Sequence, residues 1–200
     1  MFHVKHLSES LATYKSLLEK YHKALDLLSD EALASVGDKI DDSLMYAQVL
    51  EHRTAVGKIL DIGSGNGLPA IPMALALPHR HFYLVERRQR RVTFLRIVKS
   101  QLRLVNVHIY SETVEEVIGF EVSAVTAMAV GSLATLYCSS RHLHQDVITL
   151  VSRKGQHFKA EIAELEDTLN TKVSKVQTTP LKTNGTLVAV QLAGGKMCRS

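Results

Sequence analysis

The sequence predicts an α/β fold built on a doubly wound sheet, and three observations carry that expectation. Short apolar runs of strand length alternate with stretches of helical periodicity. The run Ile59–Ile62 enters a turn with glycine at every second position, Gly63, Gly65 and Gly67, and a helix follows. Near the end of the chain, two β-rich runs flank Asn184-Gly185, the dipeptide of a hairpin. With 200 residues and 46% hydrophobic content, one compact domain can bury roughly 70% of its unfolded surface without staples.

The first 55 residues read as a helical extension packed on the core, and residues 56–200 as the principal domain. Met1 to Leu7 is expected to be a loose leader, with Ser8 as the N-cap of the first helix. Leu11, Tyr14, Leu18, Tyr21, Leu25 and Leu28 keep the three-and-four spacing of one apolar stripe, which is core packing. Gly37 is expected to end a second short helical piece. Another helix then starts at Lys39-Ile40-Asp41-Asp42-Ser43-Leu44 and runs towards His52. Asp41, Asp42 and Ser43 either cap that helix or close over a ligand.

The glycine turn carries the chemistry. Glycine allows positive φ and brings backbone close to a ligand with no Cβ between them. Pro69 fits the first turn of the following helix, which continues from Ile71 to Leu77 until Pro78 stops it. This strand–turn–helix unit aims backbone N–H groups at a ligand. Phe82 to Val85 is the second strand, and Glu86 stands at its carboxyl end. There an acid can accept hydrogen bonds from ribose hydroxyls or complement the next helix dipole.

That next helix, Arg87 to Leu104, is the most basic part of a chain whose net charge is +4. Arg88, Arg96, Lys99 and Arg103 fall on one arc, and Phe94, Leu95, Val98 and Leu102 on the arc that faces the sheet. Arg87, Arg88, Arg90 and Arg91 crowd the first turn against the helix dipole, which points to a phosphate partner.

The remaining strands are expected at Asn106–Tyr110, Val122–Ala127, Val147–Ser152, Lys172–Gln177 and Thr186–Leu192. Helices are expected at Val130–Leu143 and Phe158–Leu169. The loop after the third strand, Ser111 to Glu116, can border an adenine or simply supply capping acids. His142, His144 and Asp146 lack further ligands nearby in sequence, so no metal site is expected. Cys138 and Cys198 cannot form a disulfide framework, and no signal peptide or long apolar run is present. A cytoplasmic monomer that crosses no membrane is the expectation.

The form D-x-G-x-G-x-G at Asp61–Gly67 is similar to motif I of class I S-adenosylmethionine (SAM) methyltransferases. More specifically, Asp61 to Pro72, D-I-G-S-G-N-G-L-P-A-I-P, resembles the D-L-G-[ST]-G-x-G-[LF]-P-G-I-P of the RsmG (GidB) family, the bacterial 16S ribosomal RNA guanine-N7 methyltransferases. Arg90-Arg91-Val92-Thr93-Phe94-Leu95 is similar to its K-R-V-x-F-L. Asn106-Val107 and Val114-Glu115-Glu116 match its N-V and V-E-E. Gly131-Ser132-Leu133, Lys154-Gly155 and Ile40-Asp41-Asp42-Ser43 resemble its A-S-L, K-G and H-I-x-D-S, so the resemblance covers nearly the whole chain.

The resemblance implies the seven-stranded Rossmann-like sheet of class I methyltransferases, SAM as cofactor, and 16S ribosomal RNA or the small ribosomal subunit as partner. Asp61, Gly63, Ser64, Gly65, Gly67 and Leu68 would line the SAM pocket. Glu86 would hold the ribose, and Val114 and Glu115 the adenine. Met128 stands where the family has an arginine in that pocket, Lys39 where it has histidine, Asp26 where it often has asparagine, and Ala70 where it has glycine. Guanine N7 carries a free lone pair, so positioning rather than a general base is the task, and no catalytic dyad is expected. Lys154 and Ser132 are the candidates for positioning guanine, with Arg88, Arg96, Lys99 and Arg103 on the RNA backbone. A second reading is an RNA-binding or assembly protein that keeps the fold without turnover. A third is a nicotinamide-dependent oxidoreductase, and the glycine spacing disfavours it.

Overall fold

The computed structural model describes residues 2–193, so Cys198 lies outside the described residues. Seven strands form one sheet: β1 (Ile59–Ile62), β2 (Phe82–Val85), β3 (Val107–Tyr110), β4 (Val122–Met128), β5 (His144–Lys154), β6 (Lys175–Pro180) and β7 (Thr186–Ala193). Among the described residues seven α-helices accompany them: α1 (Phe2–Tyr21), α2 (Asp30–Ala34), α3 (Val36–Arg53), α4 (Ala70–Ala76), α5 (Gln89–Gln101), α6 (Leu133–Ser140) and α7 (Phe158–Leu169). The strand order is β3-β2-β1-β4-β5-β7-β6. Neighbours are parallel except β7, which runs antiparallel to both β5 and β6. The order reverses between β1 and β4, and that switch point opens a crevice at the carboxyl ends of the strands.

Strand alternation builds two cores. Ile59, Phe82, Leu84 and Val151 face Tyr14, Leu18, Tyr46, Leu50, Phe94 and Leu95 of the helices on one side. Their neighbours Leu60, Val125 and Leu150 face Leu133, Leu136 and Leu165 on the other. The first three helices are thus continuous with the core of the sheet. Arg80, buried, reinforces that join by donating to the carbonyls of Gly57 and Ala55 at 3.0 and 3.1 Å.

Several boundaries differ from the sequence reading. Nothing between Phe2 and Leu7 breaks a helix, so α1 begins at Phe2 and Ser8 lies inside it rather than capping it. The helix stops at Tyr21, and a turn with Asp26 at φ 52° carries Leu25 and Leu28 onto the core as loop residues. Gly37 lies in the first turn of α3, and Asp41, Asp42 and Ser43 sit mid-helix, where they cap nothing. α5 is shorter than expected: Arg88 is its N-cap, and Arg103 follows it at φ 51°, so only Arg90 and Arg91 occupy its first turn.

Asn106 precedes β3, with its buried amide donating to the carbonyls of Ala74 and Arg80 at 3.0 and 3.1 Å. α6 is confined to Leu133–Ser140 because Ser132 caps it, its Oγ accepting from Thr135 N at 3.2 Å. β5 runs from His144 to Lys154, extending past both expected ends. β6 starts three residues later than expected, because Asn170 closes α7 in the left-handed region and Glu166 then ties down Lys172 and Val173. The hairpin turns through Asn184 and Gly185, both at positive φ, as the dipeptide predicts.

Two tyrosines of the leading helices hold the sheet's carboxyl edge in place. Tyr14 of α1, fully buried, donates to the carbonyl of Asn66 in the glycine turn at 2.8 Å, and Tyr46 of α3 donates to Ala127 O at 3.2 Å. Replacing Tyr14 with Phe leaves the Asn66 carbonyl without that donor. The expected cost is about 1 kcal/mol of unfolding free energy in urea titration. An unchanged midpoint and slope would show that the hydroxyl does not restrain the turn.

Candidate functional site

β1 ends at Ile62 and the chain turns through Gly63, Gly65 and Gly67 at φ 68°, 57° and 93°. A Cβ at Gly67 would meet Ile71 Cγ1 at 2.6 Å, and one at Gly63 would meet Val130 Cγ2 at 2.8 Å, so both positions need glycine for space as well as for φ. At Gly65 a Cβ would stand 3.6 Å from the Arg91 guanidinium and from Gly63 O, an ordinary contact, so there it is the positive φ that asks for glycine.

Glu86, at the end of β2, is buried and joins the turn to the next helix. Its Oε2 accepts from Gly65 N at 3.0 Å and its Oε1 from Arg88 N at 2.8 Å. Arg91 stands 3.9 Å from the same carboxylate. Beyond β3, Val114 is buried in a 3-10 turn whose capping box is made by Thr113 and Glu116, with Glu115 exposed between them. The loop acids therefore divide: Glu116 caps, and Glu115 faces outward beside the cleft.

Two clefts meet over the glycine turn. One, of about 390 Å³, is bordered by Gly63, Glu86, Arg87, Arg88, Arg91, Val114, Glu115 and Val130. The other, of about 360 Å³, is bordered by Lys39, Gly63, Ser64, Gly65, Leu68, Arg91, Met128 and Arg153. They share Gly63, Arg91 and Val130. A third, of about 340 Å³, continues past Arg153 to Lys154, Gly155 and Gln156. A larger trough of about 500 Å³ lies elsewhere, along Thr149, Gln177 and Gln191 in mid-strand. It offers no buried charge and lies away from the switch point.

Asp61 sits beneath this crevice. Thr126 Oγ1 donates to its Oδ1 at 2.7 Å, and its buried Oδ2 has no hydrogen-bond partner among the described residues. Burial pushes the carboxyl up to about 7; bonds from Thr126 and Ser64 oppose the shift, and the nearby Glu86 charge adds to it. An unpartnered buried carboxylate oxygen below an open cleft fits a cationic ligand.

The sequence-predicted residues are distributed unevenly. Gly63, Ser64, Gly65, Leu68, Glu86, Val114, Glu115 and Met128 all line the joined clefts, while Asp61 and Gly67 shape the turn from below. Of the four basic residues, Arg88 borders the cleft, whereas Arg96, Lys99 and Arg103 do not line it. Lys99 instead lies near His108 of β3, helping to hold that imidazole below its ordinary pKa after burial and His81. Ser132 is taken up with capping α6 and with Glu164 Oε1 at 3.4 Å. Lys154 is buried, pairing with Glu161 at 2.8 Å and donating to Gly131 O at 2.8 Å, and it borders only the third cleft. His142 Nε2 lies 2.9 Å from Val117 O and His144 Nε2 2.8 Å from Ser140 Oγ. Among the described residues no three His, Cys, Asp or Glu side chains gather as a metal would require. Among the described residues no helix is long and apolar enough to cross a membrane.

Arg91 and Arg153 are the lining groups that sequence reasoning did not place. Arg91 stands out in the sequence as one of a crowd of arginines and within the Arg90–Leu95 motif, with no cofactor role attached. Arg153 was overshadowed by Lys154, although strand alternation turns the two to opposite faces of the sheet.

Sheet order, switch point and glycine turn together define the class: this is the fold of class I SAM-dependent methyltransferases. The magnesium protoporphyrin IX methyltransferase of Synechocystis, solved with bound SAM, is similar to it at a TM-score of 0.57 and 14% identity, covering 88% of this chain and 96% of that one. A family model described as GidB, rRNA small subunit methyltransferase G, matches residues 7–188, and the chain belongs to that family. The ribosomal RNA small subunit methyltransferase G of Colwellia psychrerythraea is 37% identical over 166 residues, 80% of this chain and 76% of its own length. Its counterpart from Salmonella arizonae is 32% identical over 189 residues, 93% of this chain and 89% of its own length.

The Asp61 carboxyl gives the site a pH signature. Its folded pKa of about 7 lies above the ordinary unfolded value of about 3.9. Its contribution to stability is therefore full below about pH 4, is lost as pH rises to about 7, and stays lost above that. Relative to wild type, Asp61→Asn should gain stability across that window by up to about 1.4 kcal/mol per pH unit. Urea unfolding at several pH values measures the difference, and a pH-independent gap would contradict the burial argument.

Proposed function

We propose that this protein transfers a methyl group from SAM to N7 of a guanine in 16S ribosomal RNA, in the bacterial cytoplasm, on free RNA or on the small subunit. The observation that carries the reading is the glycine turn itself. It puts three glycines at positive φ, is clamped by Glu86, and sits above a buried Asp61 oxygen that has no hydrogen-bond partner among the described residues. Membership of the small-subunit methyltransferase family supports the RNA substrate.

In this reading the cleft at Glu86, Val114 and Glu115 takes the adenosine. The cleft at Gly63, Ser64, Gly65, Leu68 and Met128 takes the amino-acid end, and Asp61 offsets the positive charge from below. SAM, when bound, supplies an electrophilic methyl on a sulfonium. The chain's own task is to hold guanine N7 in line with that methyl and to exclude water. Orientation of this kind lowers a barrier by several kcal/mol without a proton acceptor. That fits three clefts with no histidine among their lining residues. Lys154, at the neighbouring cleft, is proposed to border the target base, with Ser132 fixing the start of α6 beside it. Arg88 at the cleft mouth, with Arg96 and Lys99 further along α5 and Arg103 just beyond it, is proposed to meet RNA phosphates, so affinity for RNA should fall with salt.

Two measurements test the reading. Calorimetry should show SAM binding by the wild type and loss of it in Gly65→Val, whose branched side chain enters the cleft that Gly65 borders and strains its positive φ. Equal affinity in both would remove the turn from the site. Incubation with methyl-labelled SAM and small subunits lacking the modification should place label on guanine N7 of 16S RNA, mapped by cleavage at 7-methylguanine. SAM binding with no label transfer to subunits or to deproteinised RNA would overturn the enzymatic reading.

A further inference from the structure

Arg153 and Met128 are direct partners across β5 and β4, and both border the cleft that contains the glycine turn. Alternation along β5 sends Arg153 towards α3, whereas Lys154 turns to Glu161 of α7. The Arg153 guanidinium is held from behind. Its Nε donates to Asn184 O at 3.1 Å, and its Nη2 donates to Thr183 O at 2.9 Å and Asn184 O at 2.8 Å. Nη1 makes no hydrogen bond among the described residues, and no carboxylate pairs with the guanidinium among them.

The loop that grips Arg153 is itself fixed by α3. Asp42, only 1% exposed, accepts from Lys182 N at 2.7 Å and Thr183 N at 3.1 Å and also from Thr183 Oγ1. Asp41 pairs with Lys182 at 2.7 Å. One turn earlier on α3, Lys39 borders the same cleft and donates to Ala32 O at 3.1 Å. Burial and the proximity of Arg153 both lower the Lys39 pKa, and no acid offsets them. Two cations thus share one cleft without a protein counter-charge. That is the electrostatic form of an oxyanion site.

We propose that Arg153, seconded by Lys39, receives the carboxylate of the cofactor's amino-acid end, and that Asp42 is a positioning residue acting through the Leu181–Gly185 loop. The inference rests on the cofactor reading of the cleft. A carboxylate is favoured over an RNA phosphate because the same cleft is floored by Gly63, Ser64 and Gly65, while the adenosine end has its own cleft at Glu86. Arg153 enters from the strand next to Met128, so a cation at either position reaches the same space.

Calorimetry with two ligands tests the assignment: SAM, and 5′-methylthioadenosine, which keeps the nucleoside and lacks the amino-acid end. Arg153→Met should bind SAM about tenfold or more weakly, the scale of a charge-assisted hydrogen bond, and bind methylthioadenosine as wild type does. Met128→Arg in the Arg153→Met background should recover most of the lost SAM affinity. Asp42→Asn should weaken SAM binding less than Arg153→Met does, and add nothing to it in the double variant. Circular dichroism and thermal unfolding check that each variant is folded.

Unchanged SAM affinity in folded Arg153→Met overturns the proposal, and a raised KM for RNA in that variant would reassign the guanidinium to a phosphate. Equal loss of both ligands also overturns it, because the damage would then lie in the nucleoside cleft. If the wild type binds neither ligand, the cofactor reading itself fails, an outcome distinct from all of these.

Discussion

Everything at the carboxyl edge depends on a six-residue turn with glycine at every second position and no freedom to move. Backbone in the left-handed region is easily deformed unless something holds it, and here three elements do. Tyr14 of α1 donates to Asn66 O, the carboxylate of Glu86 takes Gly65 N, and Gly67 N closes on Ser64 O at 2.7 Å. A helix distant in sequence, the end of the second strand and the turn itself thus fix one geometry. The hydroxyl of Tyr14 is buried and anchored, which ties α1 to the glycine turn.

The charges follow from the same arrangement. Asp61 lies below the turn, where burial and then the Glu86 charge raise its carboxyl, while Arg91, Lys39 and Arg153 rise around the cleft above it. A ligand carrying both a positive centre and an anionic group could satisfy the floor and the rim together, and a purely anionic nucleotide would satisfy only the rim. The sign pattern, more than the glycine spacing, separates a sulfonium amino acid from a dinucleotide. Glu86, with both oxygens already bonded to backbone, serves the turn first and has remaining lone pairs for a sugar.

The succession of strands along the chain, the turn and the acid after β2 were legible because each is a local signal: apolar runs of strand length, alternate glycines, one carboxylate at a strand end. Boundaries set by tertiary bonds were not. Ser8 looks like a cap, but nothing before it stops the helix. Asp41 and Asp42 look like caps, but their partners lie about 140 residues away in the β6–β7 loop. Arg153 went unmarked because its direction depends on which face of β5 it occupies, and that register is fixed only by pairing with β4 and β7. The arc drawn through Arg88, Arg96, Lys99 and Arg103 assumed one continuous helix, and the Glu86–Arg88 bond and the turn at Arg103 cut it at both ends.

The central claim is that the joined clefts over the glycine turn form a single binding site for SAM. A crystal structure of the protein with S-adenosylhomocysteine tests it most directly. The account predicts adenine against Val114 and Glu115, ribose hydroxyls at the Glu86 carboxylate, and the amino-acid end above Gly63 and Gly65 with its carboxylate towards Arg153. Density for the ligand in the mid-strand trough near Thr149 and Gln191, or a glycine turn with no ligand above it at saturating concentration, would contradict it.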